Sequence, residues 1–394
     1  MAEPLRVLTL NNISAVGLKR LPAERYSVGA QMEAPDAILV RSHDMHKMDI
    51  PASVLAIGRA GAGVNNIPVP AMSKRGVPVF NAPGANANAV KELVIAGMLM
   101  AARNLPTALE FVRGLAGDDA TLHKRVEDGK KHFAGFELPR HTLGVIGLGR
   151  IGSLVADAAI KLGMNVLGYD PHITVDAAWS LPSQVKKANS VEEVLKASDF
   201  VTLHVPLADA TRNLVNAERV KLMRHHAILL NFSREGIVDN EAVLAALAAK
   251  RLKCYVCDFP AERLTGQAGV IALPHLGAST REAEDNCAVM VADQVRDYLE
   301  HGNIVNAVNF PDVVMAREAA YRVGIANANV PNMLGQISTA MAKAGLNIHN
   351  MLNKSRGEMA YTLVDVDSPV PAAALAALAG IAGVLSVRYL PAQC

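Results

Sequence analysis

Three polar side chains follow three predicted strands in the second half of the chain. Arg234, Glu262 and His275 each come a few residues after an apolar, β-branched run. Ligands of doubly wound sheets bind at the carboxyl ends of the strands, so these three side chains are candidates for one site. An arginine can grip a carboxylate with two parallel hydrogen bonds, and a histidine can exchange a proton near neutral pH.

These residue types suit the oxidation of a 2-hydroxy acid. His275 could take the hydroxyl proton, and a carboxylate such as Glu262 beside it would stabilise the protonated ring. Arg234 could hold the carboxylate of the acid and polarise its carbonyl group. The hydride needs a nicotinamide acceptor, so the chain should also contain a dinucleotide site.

Residues 142–170 carry the pattern of such a site. A β-branched run meets Gly147-Leu-Gly149-Arg-Ile-Gly152, a helical pattern follows, and a second strand ends at an acidic residue. The first glycine permits a tight turn, the second lets a pyrophosphate approach the backbone, and the third lets helix and strand pack closely. This combination predicts a strand, a phosphate-binding turn and a helix.

The acidic residue is Asp170, near the spacing of about 20 positions at which a carboxylate accepts a ribose hydroxyl. Residues 171–173 contain no arginine for a 2′-phosphate, so NAD is favoured over NADP. Asp258, at the end of its strand, would either hydrogen-bond the nicotinamide amide or cap a loop. The predicted cofactor contacts are Gly147, Gly149, Arg150, Ile151, Gly152, Asp170, Pro206, Ser233, Asp258 and Gly277.

Composition disfavours several other classes. The 394 residues include 39 basic and 37 acidic ones without a basic block, so nucleic acid is not a predicted partner. The apolar stretch 94–102 is shorter than the roughly 18 residues of a membrane helix, and the N-terminus does not resemble a secretory signal. We therefore expect a cytoplasmic protein with no membrane partner. Cys254 and Cys257 should point to opposite faces of one strand, so we predict no metal site there.

The order of elements predicts an α/β fold with three parts. A doubly wound Rossmann-type nucleotide domain, with six parallel strands from Leu143 onward, is inserted in a smaller flavodoxin-like α/β substrate domain. A long helix toward His301 returns the chain to that substrate domain, and a C-terminal βαββαβ module follows. The expected ranges are 1–84 and 280–305 for the substrate domain, 85–279 for the NAD-binding domain, 306–318 for a linker and 319–394 for the module.

Three motifs resemble those of the D-isomer-specific 2-hydroxyacid dehydrogenases. Residues 231–239 (NFSREGIVD) resemble N-x-[AS]-R-G-x-x-V-D, with Glu235 where glycine is usual. Residues 258–262 (DFPAE) resemble a D-V-F-x-x-E motif shortened by one residue, and residues 274–280 (PHLGAST) match P-H-x-G-A-S-T. The resemblance implies a carboxylate and carbonyl clamp at Arg234, a general acid/base at His275 and its partner at Glu262.

Within that family, residues 58–67 (GRAGAGVNNI) and 303–311 (NIVNAVNFP) resemble the members that act on D-3-phosphoglycerate. The resemblance implies NAD-dependent oxidation of this acid to 3-phosphohydroxypyruvate, the first step of L-serine biosynthesis. It also implies a homodimer or homotetramer. The substrate contacts expected on this basis are Arg59, Arg41, Gly61 and Lys130.

The C-terminal module resembles an ACT domain, an amino-acid-sensing unit. Residues 327–334 (NANVPNML) resemble the serine-binding H-x-N-x-P-G-x-L, with Asn327 in place of histidine and Asn332 in place of glycine. L-Serine is therefore an expected effector, with Asn327, Asn329 and Asn347 as its candidate contacts. The alternative is a module that serves only subunit assembly.

Two other functions stay open. The chain could be a dehydrogenase of another 2-hydroxy acid, for example one that reduces glyoxylate or hydroxypyruvate. Dependence of the rate on a substrate phosphate would separate that function from the first. It could also be an NAD-responsive regulator that binds a partner without turnover. Such a regulator would have no need of Arg234, Glu262 and His275 together.

Overall fold

The computed structural model describes residues 3–391, apart from the side chain of Asp176. This part of the chain forms two compact units. One unit comprises the residues up to Asn86 and those from Arg281 onward, and the other comprises Ala87–Thr280. The second unit is thus an insertion in the sequence of the first.

The first segment contains β1 (Leu5–Leu10), α1 (Ala15–Leu18), β2 (Tyr26–Gly29), β3 (Ala37–Val40), β4 (Ala56–Arg59), α2 (Val69–Lys74) and β5 (Val79–Phe80). The inserted unit contains α3 (Ala87–Ala102), α4 (Leu105–Arg113), α5 (Asp119–Gly129), β6 (Thr142–Ile146), α6 (Arg150–Lys161), β7 (Asn165–Tyr169), α7 (Val175–Trp179), β8 (Lys186–Lys187), α8 (Val191–Ala197), β9 (Phe200–Leu203), α9 (Ala217–Leu222), β10 (Ala227–Asn231), α10 (Asn240–Ala248), β11 (Leu252–Cys257) and β12 (Val270–Ala272). The last segment contains α11 (Arg281–His301), β13 (Tyr321–Ala328), α12 (Met333–Lys343), β14 (Ile348–Arg356), β15 (Met359–Val366), α13 (Ala372–Ala379) and β16 (Val384–Pro391). Short 3₁₀ turns lie at Lys130–Phe133, Glu235–Ile237 and Glu262–Leu264.

The sheet of the first segment is parallel and has the order β2-β1-β3-β4-β5. This is the 2-1-3-4-5 order of flavodoxin-like folds. Helix α11 packs on it, because Cys287, Val291 and Val295 share one apolar cluster with Val7 and Leu39. The predicted return of the long helix to this sheet is therefore observed.

The sheet of the inserted unit is also parallel, with the order β12-β11-β10-β9-β6-β7-β8. Its strand order reverses between β6 and β9, the kind of position where doubly wound sheets bind nucleotides. The prediction of six strands was wrong by one, because β8 consists of two exposed lysines without an apolar signal. Cys254 and Cys257 lie in separate clusters on opposite faces of the sheet, as predicted.

The C-terminal elements form an antiparallel sheet in the order β14-β15-β13-β16, with α12 and α13 between strands. The βαββαβ order predicted from the sequence is observed. This sheet packs within the first unit, where Tyr361 and Leu363 join the apolar cluster of α11. Arg322 and Asp365 form a fully buried ion pair there, with a shortest N–O distance of 2.6 Å.

The segment 306–318, expected to be a linker, is also packed in this unit. Phe310 and Val313 are fully buried in the same cluster, and Ile304 and Val313 pair as an antiparallel bridge.

In the part of the chain that the structure describes, no helix combines the length and apolar character needed to cross a membrane.

Candidate active site

The glycine-rich turn joins β6 to α6 at the reversal of strand order. Gly147 has φ of +93°, in the region that favours glycine, and its N–H donates to the Tyr169 carbonyl. A Cβ at Gly152 would lie 1.9 Å from the Gly147 oxygen, whereas a Cβ at Gly149 would meet nothing within 4 Å. Gly152 therefore closes the turn onto the helix, while Gly149 leaves open space in front of it.

This open space adjoins the beginning of α6. Gly149 is the N-cap residue and supplies no side-chain cap, and the exposed Arg150 and half-buried Ile151 begin the helix. The first N–H groups of a helix have no acceptor within it and carry a partial positive charge. The turn thus fits a pyrophosphate as the sequence predicted.

Asp170 follows β7 and is bound to this same turn. Its Oδ2 accepts a hydrogen bond from Leu148 N at 2.9 Å, and its Oδ1 accepts one from His172 N at 2.9 Å. Each carboxylate oxygen can accept a further bond. The backbone therefore fixes a carboxylate that still has acceptor capacity for ribose hydroxyls, which fits NAD.

Strands β9 and β10 are followed by two loops that are hydrogen-bonded to each other. The Ser233 hydroxyl donates to the Val205 carbonyl beside the exposed Pro206, so the loop after β10 is tied to the loop after β9. His204, directly after β9, is a packed histidine, because its Nε2 lies 2.9 Å from Thr202 Oγ1 and its Nδ1 is buried. Burial lowers the pKa of His204 to about 3, so the ring is neutral near pH 7.

Arg234 is half-buried and leaves β10 in an extended conformation. Its Nη1 donates to the Ser233 carbonyl at 2.6 Å. Asn231, which is fully buried, accepts from Ser233 N at 3.1 Å and donates to the Arg234 carbonyl at 2.8 Å. The candidate roles assigned from sequence do not include Asn231, although an amide at the end of a buried strand is a signal for such a loop support.

Asp258, at the end of β11, is almost completely buried and holds the turn that carries His275. Its Oδ1 accepts from Leu276 N and its Oδ2 accepts from Gly277 N, each at 2.7 Å. Burial raises the pKa of Asp258, and the two N–H donors oppose that rise. Of the two alternatives predicted for Asp258, these bonds support the loop cap, and a contact with the cofactor stays a prediction.

His275 itself is exposed and has a left-handed backbone, with φ of +57°. Residues other than glycine rarely adopt this conformation, and such residues cluster at functional sites. Its ring packs against Phe259, with 5.2 Å between the ring centroids. Glu262 is exposed in a 3₁₀ turn, and among the described side chains it forms no ion pair with His275 within 4.0 Å. Their pairing stays a prediction.

The candidate substrate arginines follow β3 and β4 in the first unit. Arg59 Nε donates to the Arg41 carbonyl at 3.0 Å, and Arg41 Nη2 lies 2.6 Å from Glu284 Oε1 in α11. A Cβ at Gly61 would lie 2.1 Å from Arg59 Nη1, so the guanidinium group lies directly against this glycine. In the inserted unit, Lys130 is exposed and pairs with Glu127.

The candidate effector residues lie in the C-terminal module. Asn327 is buried in β13, and its Oδ1 has no hydrogen-bond partner among the described residues. Asn329 donates to the Gly357 carbonyl at 3.0 Å, and Asn347 donates to Asp367 Oδ2 at 2.6 Å. Asn329 and Asn347 are thus exposed amides that already donate, whereas Asn327 has a buried acceptor without a partner among the described residues.

A sheet of this order, with a glycine turn and a fixed carboxylate at its reversal point, defines a dinucleotide-binding protein of the doubly wound class. Residues 95–277 match the model of the D-isomer specific 2-hydroxyacid dehydrogenase, NAD binding domain. The chain belongs to the D-isomer specific 2-hydroxyacid dehydrogenase family, as its relatives also show.

Two curated relatives extend the likeness beyond that domain. The D-3-phosphoglycerate dehydrogenase of Escherichia coli K12 is 33% identical over 350 residues, which cover 86% of this chain and 82% of the relative. The D-3-phosphoglycerate dehydrogenase of Methanocaldococcus jannaschii is 36% identical over 343 residues, which cover 84% of this chain. The match spans only 62% of that relative's own length.

A solved structure agrees in fold. The crystal structure of the TT0316 protein from Thermus thermophilus aligns with a TM-score of 0.63 at 28% identity. The alignment covers 77% of this chain and all of the Thermus chain.

Proposed function

We propose that this chain oxidises D-3-phosphoglycerate to 3-phosphohydroxypyruvate with NAD, the first step of L-serine biosynthesis. The observation that carries the chemistry is the His275 turn, which Asp258 holds at the carboxyl end of the sheet. The choice of substrate is supported by the curated relatives of that name. The glycine turn and Asp170 would hold NAD, which when bound supplies the hydride acceptor.

Each side chain has a distinct task in this reaction. Arg234 binds the substrate carboxylate through its guanidinium group. Asn231 fixes the backbone of Arg234 by donating a hydrogen bond to its carbonyl. His275 takes the proton from the C2 hydroxyl on a ring nitrogen and returns it in the reverse reaction. Glu262 stabilises the protonated ring once the side chains close around substrate.

For the substrate phosphate, Arg59 is the stronger of the two arginine candidates. Arg59 lies in the segment 58–67 that resembles the members acting on D-3-phosphoglycerate, whereas Arg41 lies outside that segment and is paired with Glu284. A guanidinium group matches the geometry of a phosphate through its paired amino groups. Arg59→Gln should therefore raise KM for D-3-phosphoglycerate more than it raises KM for D-glycerate.

The acid/base assignment is tested with His275→Ala. We expect loss of turnover with NADH binding retained, since the ring moves a proton and does not hold the dinucleotide. Binding can be followed by energy transfer from Trp179, the only tryptophan of the sequence. His123→Ala, at an exposed position of α5, is the matched control and should keep both properties. Turnover at the normal rate in the His275 variant would contradict the assignment.

The C-terminal module is proposed to be ACT-like and to bind L-serine near Asn327. Its βαββαβ order and the unsatisfied Asn327 Oδ1 support this role. L-Serine should lower the rate of NADH formation, and Asn327→Leu should reduce that effect. A rate that does not respond to saturating L-serine would leave assembly as the role of the module.

A homodimer or homotetramer is also proposed. Leu105, Leu109 and Val112 are exposed on α4, and together they make an apolar stripe of one helical face. Such a stripe on a protein surface is typical of an interface. Leu109→Lys should shift the mass measured by light scattering toward the monomer, and an unchanged mass would refute the role of this face.

A further inference from the structure

The ring of Phe259 packs against the ring of His275. The centroids of the two rings lie 5.2 Å apart, and the ring planes meet at 62°. Two aromatic rings attract each other at this separation and in this edge-on arrangement. Among the residues that the structure describes, the His275 ring takes part in no hydrogen bond. Packing against Phe259 therefore restrains a ring that no hydrogen bond orients.

Phe259 can act in this way because its own backbone is held on both sides. Its carbonyl accepts a hydrogen bond from Cys257 Sγ at 3.7 Å, and Cys257 is fully buried at the end of β11. Pro260 follows, and a residue before proline is confined to extended backbone conformations. The half-buried Phe259 ring thus projects from the fixed end of a buried strand.

This strand end holds His275 at two levels. Asp258 binds the backbone of the turn through Leu276 N and Gly277 N, which fixes the position of the His275 backbone. These bonds leave the side-chain torsions of His275 free, because rotation about them does not move the backbone. The side chain is exposed, so a second restraint is needed to select one rotamer. The contact with Phe259 supplies it.

We propose that Phe259 is a positioning residue, whose ring holds the imidazole in the orientation that accepts the proton of the C2 hydroxyl. This inference rests on the function proposed above. A general base works only within hydrogen-bond reach of the proton that it takes, so a ring that samples other rotamers is productive for a smaller fraction of the time. Phe259 should therefore affect kcat, through His275, and leave substrate and cofactor binding unchanged.

Steady-state kinetics of Phe259→Leu test this role, since leucine keeps an apolar side chain and removes the ring. We expect kcat with D-3-phosphoglycerate to fall about tenfold, with KM and the Kd of NADH unchanged. Phe259→Tyr keeps the ring and should keep kcat. Phe111→Leu is the matched control, because Phe111 is also half-buried and packs on another ring, Phe133, at 5.1 Å. Phe259→Met replaces the leucine variant if that variant does not fold.

A second measurement follows the His275 ring without any substrate. The full chain is labelled with ¹³C at Cε1 of its histidines, and the His275 signal is the one that His275→Gln removes. A proton beside an aromatic ring is shifted by the ring current, so the His275 signal should move in Phe259→Leu. It should stay near its wild-type position in Phe259→Tyr and in Phe111→Leu.

The proposal is overturned if Phe259→Leu keeps either the kcat or the His275 signal of the wild type. It is also overturned if the variant changes KM or NADH binding in place of kcat, or if Phe259→Tyr is as slow as Phe259→Leu. Failure of the proposed function is read from the wild type alone, as an absence of turnover. A wild type that turns over while Phe259→Leu matches it refutes only the role of Phe259.

Discussion

Replacing Asp258 by asparagine tests the support of the His275 turn with a change of one atom. The two N–H donors of Leu276 and Gly277 go to separate carboxylate oxygens, each at 2.7 Å. An asparagine side chain keeps one oxygen and presents an NH₂ group to the other donor. The variant thus loses one charge-assisted bond and leaves a buried N–H group without an acceptor.

The expected cost follows from these two losses. A hydrogen bond to a charged group contributes about 2 kcal/mol. The buried N–H group without an acceptor adds a further cost, but the variant no longer buries a carboxylate charge, and this offsets part of that cost. We therefore expect the free energy of unfolding to fall by about 2 kcal/mol. If the same energy keeps the His275 turn in its catalytic position, kcat should fall by as much as about thirtyfold. Urea unfolding and steady-state kinetics on the same preparation give the two numbers.

Asp239→Asn is the matched control. Asp239 caps α10, and both of its backbone donors, Glu241 N and Ala242 N, go to the same Oδ1. Asparagine can keep both bonds, so stability and kcat should hardly change. If Asp258→Asn behaves like this control, the turn does not depend on the carboxylate. If it weakens NADH binding and leaves kcat unchanged, Asp258 contacts the cofactor instead.

Three further predictions concern the glycine turn, a buried histidine and a buried ion pair. Gly152→Ala puts a Cβ 1.9 Å from the Gly147 oxygen and should lower the free energy of unfolding by about 1–3 kcal/mol, whereas Gly149→Ala should keep stability in the same urea experiment and weaken NADH binding. Because burial lowers the pKa of His204 from 6.5 to about 3, the unfolded chain binds the extra proton between those values. Stability should therefore fall as the pH drops below 6.5, by roughly 2 kcal/mol near pH 5, and His204→Gln should lack this dependence in urea unfolding at both pH values. Asp365→Asn strands the buried Arg322 charge and should cost about 3–5 kcal/mol by the same measurement; a cost under about 1 kcal/mol would show that water reaches the pair.

The sequence predicts helices and strands best where the spacing of the apolar residues and the turn residues at either end indicate the same element. The βαββαβ order predicted for residues 319–394 is the order of β13, α12, β14, β15, α13 and β16. The glycine turn is equally clear, because its φ and close contacts allow few other residues at Gly147 and Gly152. These features depend on local chemistry, which a single sequence displays.

Features that depend on long-range packing are not visible in this way. Strand β2 lies at a sheet edge with half of its residues polar or glycine, and β8 is formed by two lysines. The segment 306–318 resembles a linker, yet Phe310 and Val313 are buried by α11 and the C-terminal sheet. Likewise, the sequence shows an acid at position 258 but not the two N–H donors that share it.

The most direct test of the proposed function compares D-3-phosphoglycerate with D-glycerate and D-lactate in NADH formation at alkaline pH. We predict a strong preference for the phosphorylated acid, which Arg59→Gln should reduce. Equal or faster rates with the unphosphorylated acids would contradict the phosphoglycerate proposal and leave a dehydrogenase of another 2-hydroxy acid. No rate with any of the three acids would contradict catalysis by Arg234 and His275.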